Sequence, residues 1–267
     1  MALLADKRLF LLDMDGTLYL DEHLFDKVPE FLALIRRRGG RYLFLTNNSS
    51  RGSADYIAKM RRLGIETVPE DYLTSADAAQ HTLLTEFAGQ KCYVSGTASL
   101  RKQLAQAGID VTDTLSDDIT VLLSGFDTEL TFQKLEDSCI LLNRGVTWLA
   151  TNPDWVCPTR YGFVPDCGSV CQMLTRATGR SPRFLGKPQP EMVRLALART
   201  GFAPRQAVVV GDRLYTDVAC GVYAGIDSIF VLSGEGSVDD IAEYHIKPTW
   251  IYRDIALLYH ELKENAI

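Results

Sequence analysis

Four short clusters hold the residues able to do chemistry in this chain of 267 residues. The first, Asp13-Met14-Asp15-Gly16-Thr17, closes the apolar run Leu9-Phe10-Leu11-Leu12. An apolar run of that length stopped by glycine predicts a buried strand, and alternation turns residues i and i+2 to one face. Asp13 and Asp15 therefore converge at a strand end. Two carboxylates are costly there unless something positive lies between them, and a hard divalent cation, which prefers carboxylate and carbonyl oxygen, is the natural partner. The second cluster, Thr46-Asn47-Asn48-Ser49-Ser50, follows Leu43-Phe44-Leu45. A strand-to-helix junction of that kind offers N–H groups to an anion. The third, Gly186-Lys187-Pro188, supplies one cation, and the fourth, Gly211-Asp212-Arg213-Leu214-Tyr215-Thr216-Asp217, ends the apolar run Val208-Val209-Val210. Taken singly, these are a turn, a solvated loop and an N-cap. Taken together, they supply carboxylates for a magnesium site and donors plus a cation for a phosphoryl group.

Helices and strands must alternate to bring the clusters together. Phe31–Arg38, Ile57–Leu63, Leu100–Ala107 and Val193–Thr200 read as helices, each followed by glycine. Glycine after a last turn rich in Arg or Lys is the usual helix stop, so Arg36-Arg37-Arg38 and Arg61-Arg62 are helix ends rather than a basic patch. Strand-like runs recur at Tyr42–Leu45, Tyr93–Val94, Ile119–Leu123, Val146–Ala150, Ala207–Val210 and Ser228–Leu232. That alternation predicts an α/β fold, a mostly parallel sheet with helices on both faces, whose chemistry sits at the carboxyl ends of the strands.

Composition narrows the class. Apolar residues make up 46% and charged residues 23%, ordinary for a globular chain. The net charge of -6 argues against a nucleic-acid or anionic-membrane partner. Met1 to Arg8 leave no room for a signal peptide before the first strand, and no apolar stretch approaches the roughly 20 residues of a membrane span. The 6 cysteines (Cys92, Cys139, Cys157, Cys167, Cys171 and Cys220) contain no CxxC pair. Cys167 and Cys171 lack a second ligand pair for zinc. The expected compartment is a reducing cytoplasm.

The four clusters in order resemble the motifs of the haloacid dehalogenase superfamily of phosphatases. Asp13-Met14-Asp15-Gly16-Thr17-Leu18 matches the first motif, Thr46 the second, Lys187 the third, and Gly211-Asp212 with Asp217 the fourth. The wording of Leu45-Thr46-Asn47-Asn48-Ser49 and of Gly211–Asp217 is similar to the NagD-like, p-nitrophenyl phosphatase subfamily. The resemblance implies a Rossmann-like three-layer core plus an inserted α/β cap. Spacing points the same way. About 30 residues separate Asp15 from Thr46 and about 140 separate Thr46 from Lys187, far more than one crossover needs. The expected cap is 79–182, and the core is 1–78 with 183–267.

The resemblance further implies that Asp13 is a nucleophile forming an aspartyl-phosphate and that Asp15 is the general acid and base. Mg2+ would be held by Asp13, the Asp15 carbonyl and Asp212, with Asp217 in or next to the metal shell. Thr46, Asn47 and Asn48 would hold phosphoryl oxygens, and Lys187 would balance their charge. The cap loop Thr151–Pro158 resembles the subfamily's substrate loop. It nominates Asn152, Asp154 and Cys157 as contacts to the leaving group and Trp155 or Tyr161 as stacking surfaces. Asp166 stands where the family often has Pro-Gly and adds a negative charge. The implied substrate is a small phosphate ester: a nucleoside monophosphate, a sugar phosphate, pyridoxal phosphate, or p-nitrophenyl phosphate in vitro. A homodimer through the cap is compatible with this reading. The alternatives are a phosphotransferase on the same fold and a catalytically idle binding protein.

Overall fold

Leu9-Phe10-Leu11-Leu12 forms β1 (Leu9–Leu12), with all four residues buried. In the computed structural model, which describes residues 3–50, 52–159 and 162–264, a short hairpin follows, β2 (Tyr19–Leu20) and β3 (His23–Leu24). The chain then runs through α1 (Val28–Arg37), β4 (Arg41–Thr46), α2 (Ser53–Arg62), β5 (Tyr72–Thr74) and α3 (Ser75–Glu86). Next come β6 (Lys91–Ser95), α4 (Ala98–Gln106), β7 (Val111–Thr112), β8 (Ile119–Ser124), α5 (Phe132–Asn143) and β9 (Thr147–Ala150). After a second hairpin, β10 (Val156–Thr159) and β11 (Gly162–Pro165), follow α6 (Cys167–Thr178), β12 (Arg183–Phe184) and α7 (Glu191–Thr200). The chain closes with β13 (Ala207–Gly211), a π turn (Leu214–Val218), α8 (Ala219–Tyr223), β14 (Asp227–Val231), α9 (Asp240–Tyr244), β15 (Trp250–Tyr252) and α10 (Ile255–Glu264). No helix among the described residues is long and apolar enough to cross a membrane.

Two units divide this chain. Met1–Thr46, Tyr56–Leu73 and Lys187–Ile267 make up the first; Asn47–Asp55 and Thr74–Gly186 make up the second.

The first unit is built on a sheet in the order β15-β14-β13-β1-β4-β5. Strand β1 runs parallel to both neighbours, with Leu9 opposite Ala207 on one side and Arg41 on the other. Pleating sends alternate residues to opposite faces. Val208, Val210, Ile229 and Val231 join Phe10, Leu12 and Phe44 in one core with Phe31 and Ile35 of α1 and Leu258 and Leu262 of α10. Phe230, between two of those residues, joins Leu214, Val218 and Ala219 in a separate core on the other face. Helices therefore cover both faces of a parallel sheet, as the alternation predicts.

The second unit has its own sheet in the order β12-β9-β8-β6-β7, and its pairs are parallel. Its core joins Tyr93, Leu122 and Trp148 from the strands to Leu141 and Leu142 of α5 and Val170, Cys171 and Leu174 of α6. The buried polar groups are paired: Trp148 Nε1 donates to Ser124 Oγ at 3.0 Å and the Tyr93 hydroxyl to Asp137 at 2.9 Å. Cys92, Cys139, Cys167, Cys171 and Cys220 are free thiols.

The helices predicted at Phe31, Ile57, Leu100 and Val193 are present, each beginning two to four residues earlier. Glu191 starts α7, and Thr97 caps α4 through the Leu100 N–H at 3.2 Å. At the far end of α7, Gly201 adopts φ +74° and its N–H closes the helix on Leu197 O, a conformation that favours glycine. The short strands β5, β12 and β15 and the hairpin β10–β11 leave no alternating signal. In the hairpin, Phe163 and Val164 both face solvent.

Candidate active site

Strands β1 and β13 lie side by side and end together. The Asp13 N–H still pairs with Val210 O at 2.9 Å, so Asp13 and Asp212 emerge from adjacent strands at the same edge. Strand β4 leaves β1 on the opposite side, so the edge is also where strand order reverses, the usual position for a site in an open parallel sheet.

Asp13, Asp212 and Asp217 each present a carboxylate oxygen, and these oxygens lie within 4.8 Å of one another. Lys187 lies among them. Its ammonium donates to Asp13 Oδ1, to Asp217 Oδ1 at 2.6 Å and to Leu45 O at 3.2 Å. All three of its protons are thus used. Asp217 Oδ2 also accepts from the Arg213 N–H at 3.1 Å. Asp212 accepts from the Thr17 hydroxyl at 2.9 Å and from the Glu235 N–H at 2.8 Å. Close packing makes this possible. Gly16 has φ +82°, and a Cβ there would meet Asp212 Oδ2 at 2.4 Å. A Cβ at Gly234, in the loop after β14, would meet the same oxygen at 2.0 Å.

Electrostatics follow from this crowding. Burial pushes the Asp13 carboxyl well above the usual range, Asp217 adds to the push, and Lys187 opposes it. Burial and Asp217 raise Asp212 to about 6, against the Glu235 N–H and the Thr17 hydroxyl. Burial works to lower Lys187, but Asp13 and Asp217 outweigh it and hold the ammonium protonated. Three carboxylates, Asp212 and Asp217 buried and Asp13 half-buried, therefore face one lysine. The uncompensated charge and the all-oxygen donor set fit a hard divalent cation.

Asp15 is placed differently. Its side chain is 57% exposed and stands apart from the three clustered carboxylates. Lys59 of α2 reaches Asp15 Oδ1 at 3.3 Å, and the Tyr19 hydroxyl makes a longer contact of 3.4 Å to Oδ2. Thr46 ends β4 in the first unit.

Asn47 and Asn48 begin the first segment of the second unit. The Asn47 amide donates to Asp154 at 3.0 Å, and its carbonyl accepts from the Ser75 hydroxyl at 2.6 Å. Asn48 Oδ1 accepts from the N–H and the hydroxyl of Ser50. Asn152 is fully buried, with its amide donating to Asp154 at 3.2 Å and Asp166 at 3.0 Å. Asp166 is buried and caps α6 through the Cys167 N–H, so its charge is met locally by a helix N-terminus. Cys157 is half-buried against the core of this unit, and Trp155 is exposed. Tyr161 lies outside the described residues.

Sequence reasoning missed Tyr19, Lys59 and the loop Ser233-Gly234-Glu235. Lys59 sits on an ordinary polar helix face and gives no signal. The loop does: glycines on both sides of Glu235, directly after the apolar strand β14, mark a backbone that approaches something closely.

Comparison with known proteins agrees with this geometry. The family model described as Haloacid dehalogenase-like hydrolase matches residues 10–110, and a HAD-hydrolase-like model matches residues 184–258. An acid sugar phosphatase of Staphylococcus haemolyticus is 30% identical, with 96% of this chain and 97% of that protein covered. The crystal structure of a 4-nitrophenylphosphatase from Thermotoga maritima superposes with a TM-score of 0.90 at 36% identity, covering 97% of this chain and 98% of its own. A glycerol phosphate phosphatase of Mycobacterium tuberculosis, solved with magnesium, gives a TM-score of 0.90 at 33% identity, covering 97% of this chain and 78% of its own. The chain belongs to the haloacid dehalogenase-like hydrolases, as a phosphatase of the NagD and p-nitrophenyl phosphatase group.

Proposed function

We propose that the enzyme hydrolyses small phosphate monoesters, sugar phosphates first among them, by a magnesium-dependent reaction through a phosphoaspartyl intermediate on Asp13. The observation that carries the reading is the Asp13 carboxylate held by Lys187 at the end of β1, within reach of Asp212 and Asp217. The names of the relatives support the substrate class. Asp13 and Asp212 would hold Mg2+ with the main-chain carbonyl of Asp15; when bound, the ion neutralises phosphoryl charge. Asp217, with one oxygen on Lys187 and the other on the Arg213 N–H, fixes the lysine.

In the first half-reaction an Asp13 oxygen bonds to phosphorus as the ester P–O bond breaks. The bonding pair stays on the ester oxygen, which takes a proton from Asp15. In the second half water attacks phosphorus, Asp15 accepts the water's proton, and the bond to Asp13 breaks. Inorganic phosphate leaves and both aspartates are restored. Lys187 balances charge throughout, while Thr46, Asn47 and Asn48 hold phosphoryl oxygens.

In this reading, 1–78 and 183–267 form the catalytic core and 79–182 the cap that chooses the leaving group. Asp154 and Cys157 are its candidates for substrate contact, and Asn152 braces the loop from beneath. The free thiols of Cys92, Cys139, Cys167, Cys171 and Cys220 support a cytoplasmic setting. The test is Asp13→Asn assayed for Mg2+-dependent phosphate release from p-nitrophenyl phosphate. Activity should vanish while the fold persists; near-normal turnover would overturn the assignment.

A further inference from the structure

Asp15 poses a physical problem that the proposed chemistry does not solve. A group that hands a proton to the leaving oxygen must be held within hydrogen-bond reach of it. Yet this carboxylate is 57% exposed, and an exposed aspartate is free to exchange rotamers.

Two residues outside the family motifs address that. Lys59 Nζ lies 3.3 Å from Asp15 Oδ1 and, at the same time, 3.9 Å from the centroid of the Tyr19 ring. The second contact is a cation–π interaction, and it pins the ammonium to a ring that cannot move, since Tyr19 is fully buried. Tyr19 is also tied to the Asp15 loop through the main chain: the Gly16 N–H donates to Tyr19 O at 2.8 Å. Its hydroxyl donates to Asp15 Oδ2 in a longer contact of 3.4 Å. Lys59 itself is only 21% exposed. Of the two carboxylate oxygens, Oδ1 takes the closer, charged donor. Oδ2 accepts the longer contact from the Tyr19 hydroxyl, so both oxygens of Asp15 are held.

We propose that Lys59, seated on the ring of Tyr19, is a positioning residue that holds Asp15 in the conformation needed for proton transfer to the leaving group. This rests on the reading of Asp15 as general acid. It predicts a dependence on the leaving group. An ester whose oxygen departs readily as an anion needs little help from an acid, and one with a basic leaving oxygen needs much. The parameter kcat/KM covers the steps through departure of that first product, so the role of Asp15 as base in the second half drops out.

The experiment measures kcat/KM for 2,4-dinitrophenyl, p-nitrophenyl and phenyl phosphate with wild type, Lys59→Met and Lys59→Arg. Lys59→Met should lose about tenfold or more on phenyl phosphate and less than about threefold on the dinitrophenyl ester, a part of the 10²–10⁴-fold that a general acid supplies. Lys59→Arg, which keeps a cation able to stack on Tyr19, should recover most of the loss. Circular dichroism on each variant separates misfolding from misplacement, and Lys59→Gln serves if the methionine variant aggregates. Equal losses on all three esters, or none, would overturn the assignment. A wild-type enzyme inactive on every ester would instead overturn the phosphatase reading, and the role of Lys59 with it.

Discussion

Replacing Lys187 by methionine should cost both stability and activity, and the size of the first can be worked from the site. The ammonium is buried, and its three protons go to Asp13, Asp217 and Leu45. Methionine fills most of the volume but takes the ammonium from Asp13 Oδ1, Asp217 Oδ1 and Leu45 O, and Asp217 keeps only the Arg213 N–H on its other oxygen. Removing one partner of a buried ion pair costs about 3–5 kcal/mol, because the remaining charge is stranded. For a chain of this size each kcal/mol moves the melting temperature by about 2–4 °C, so the midpoint should fall by roughly 6–20 °C in EDTA at pH 7.5. The loss should shrink toward pH 5. Lower pH favours the protonated form of Asp13, which burial pushes up and which has lost the lysine that opposed the push, so the stranded charge is relieved. Added Mg2+ should restore part of the loss at pH 7.5 by supplying the missing positive charge. Phosphate release should fall by about 10²-fold or more, the cost of losing one preorganised donor to a charged transition state. Melts of wild type and Lys187→Met at both pH values, with and without Mg2+, check this. A drop below about 2 °C, equal at both pH values, would refute the view that Lys187 is the cation neutralising this cluster.

Two further outcomes follow from Asp212. Its pKa is raised to about 6, against about 3.9 unfolded, so it favours the metal-free fold most when protonated. That stability is full below about pH 4 and is lost as pH rises through about 6, to a limit of about 3 kcal/mol. Because Mg2+ needs the carboxylate form, the rise in melting temperature on adding Mg2+ should be small at pH 5 and large at pH 7.5; a shift independent of pH would contradict it. Gly234→Ala should cut Mg2+-dependent turnover by about 10–100-fold with the fold intact by circular dichroism, since its Cβ would lie 2.0 Å from Asp212 Oδ2 and must displace it; unchanged kinetics would remove the close approach from the argument.

Much of the first unit is legible in the sequence because its strands are buried on both faces. Leu9–Leu12 and Ala207–Gly211 read as unbroken apolar runs, and each ends in an aspartate where the run meets the site. Residue types at strand ends point to Asp13 and Asp212, whereas Lys187 and Asp217 are found through the resemblance to the family motifs, and the side chain of Asp15, expected to converge with Asp13, stands apart from the cluster. The hydrogen-bond partners of Asp217 are not legible. Asp217 follows Asp212 by only five positions, and nothing local says that its oxygens go to Lys187 and to the Arg213 N–H. That depends on a π turn that folds Leu214–Val218 back over Gly211. Lys59 was invisible for a different reason. Its partners, Asp15 and Tyr19, lie on another segment, and a lysine on the polar face of a helix looks the same in the sequence whether or not something faces it. In the second unit the loop around Asn152 was recognised, but not that the amide of Asn152 is consumed inside the protein, since a buried and a solvated Asn-Pro-Asp turn have the same composition.

The placement of β1 between β13 and β4 also bears on how the protein is made. Strand β1 leaves a ribosome long before its partner Ala207–Gly211 is made. The second unit's sheet, by contrast, is complete once Phe184 has emerged. A nascent chain ending before β13 holds Leu9–Leu12, four fully apolar residues, with one hydrogen-bonding edge open and without the α10 residues that share their core. Parallel pairing at such separation is slow and leaves sticky edges in the meantime. The same arrangement that delays the fold ensures that Asp13 meets Asp212 only after β13 has been made, so a product truncated before that strand carries Asp13 without the groups that surround it.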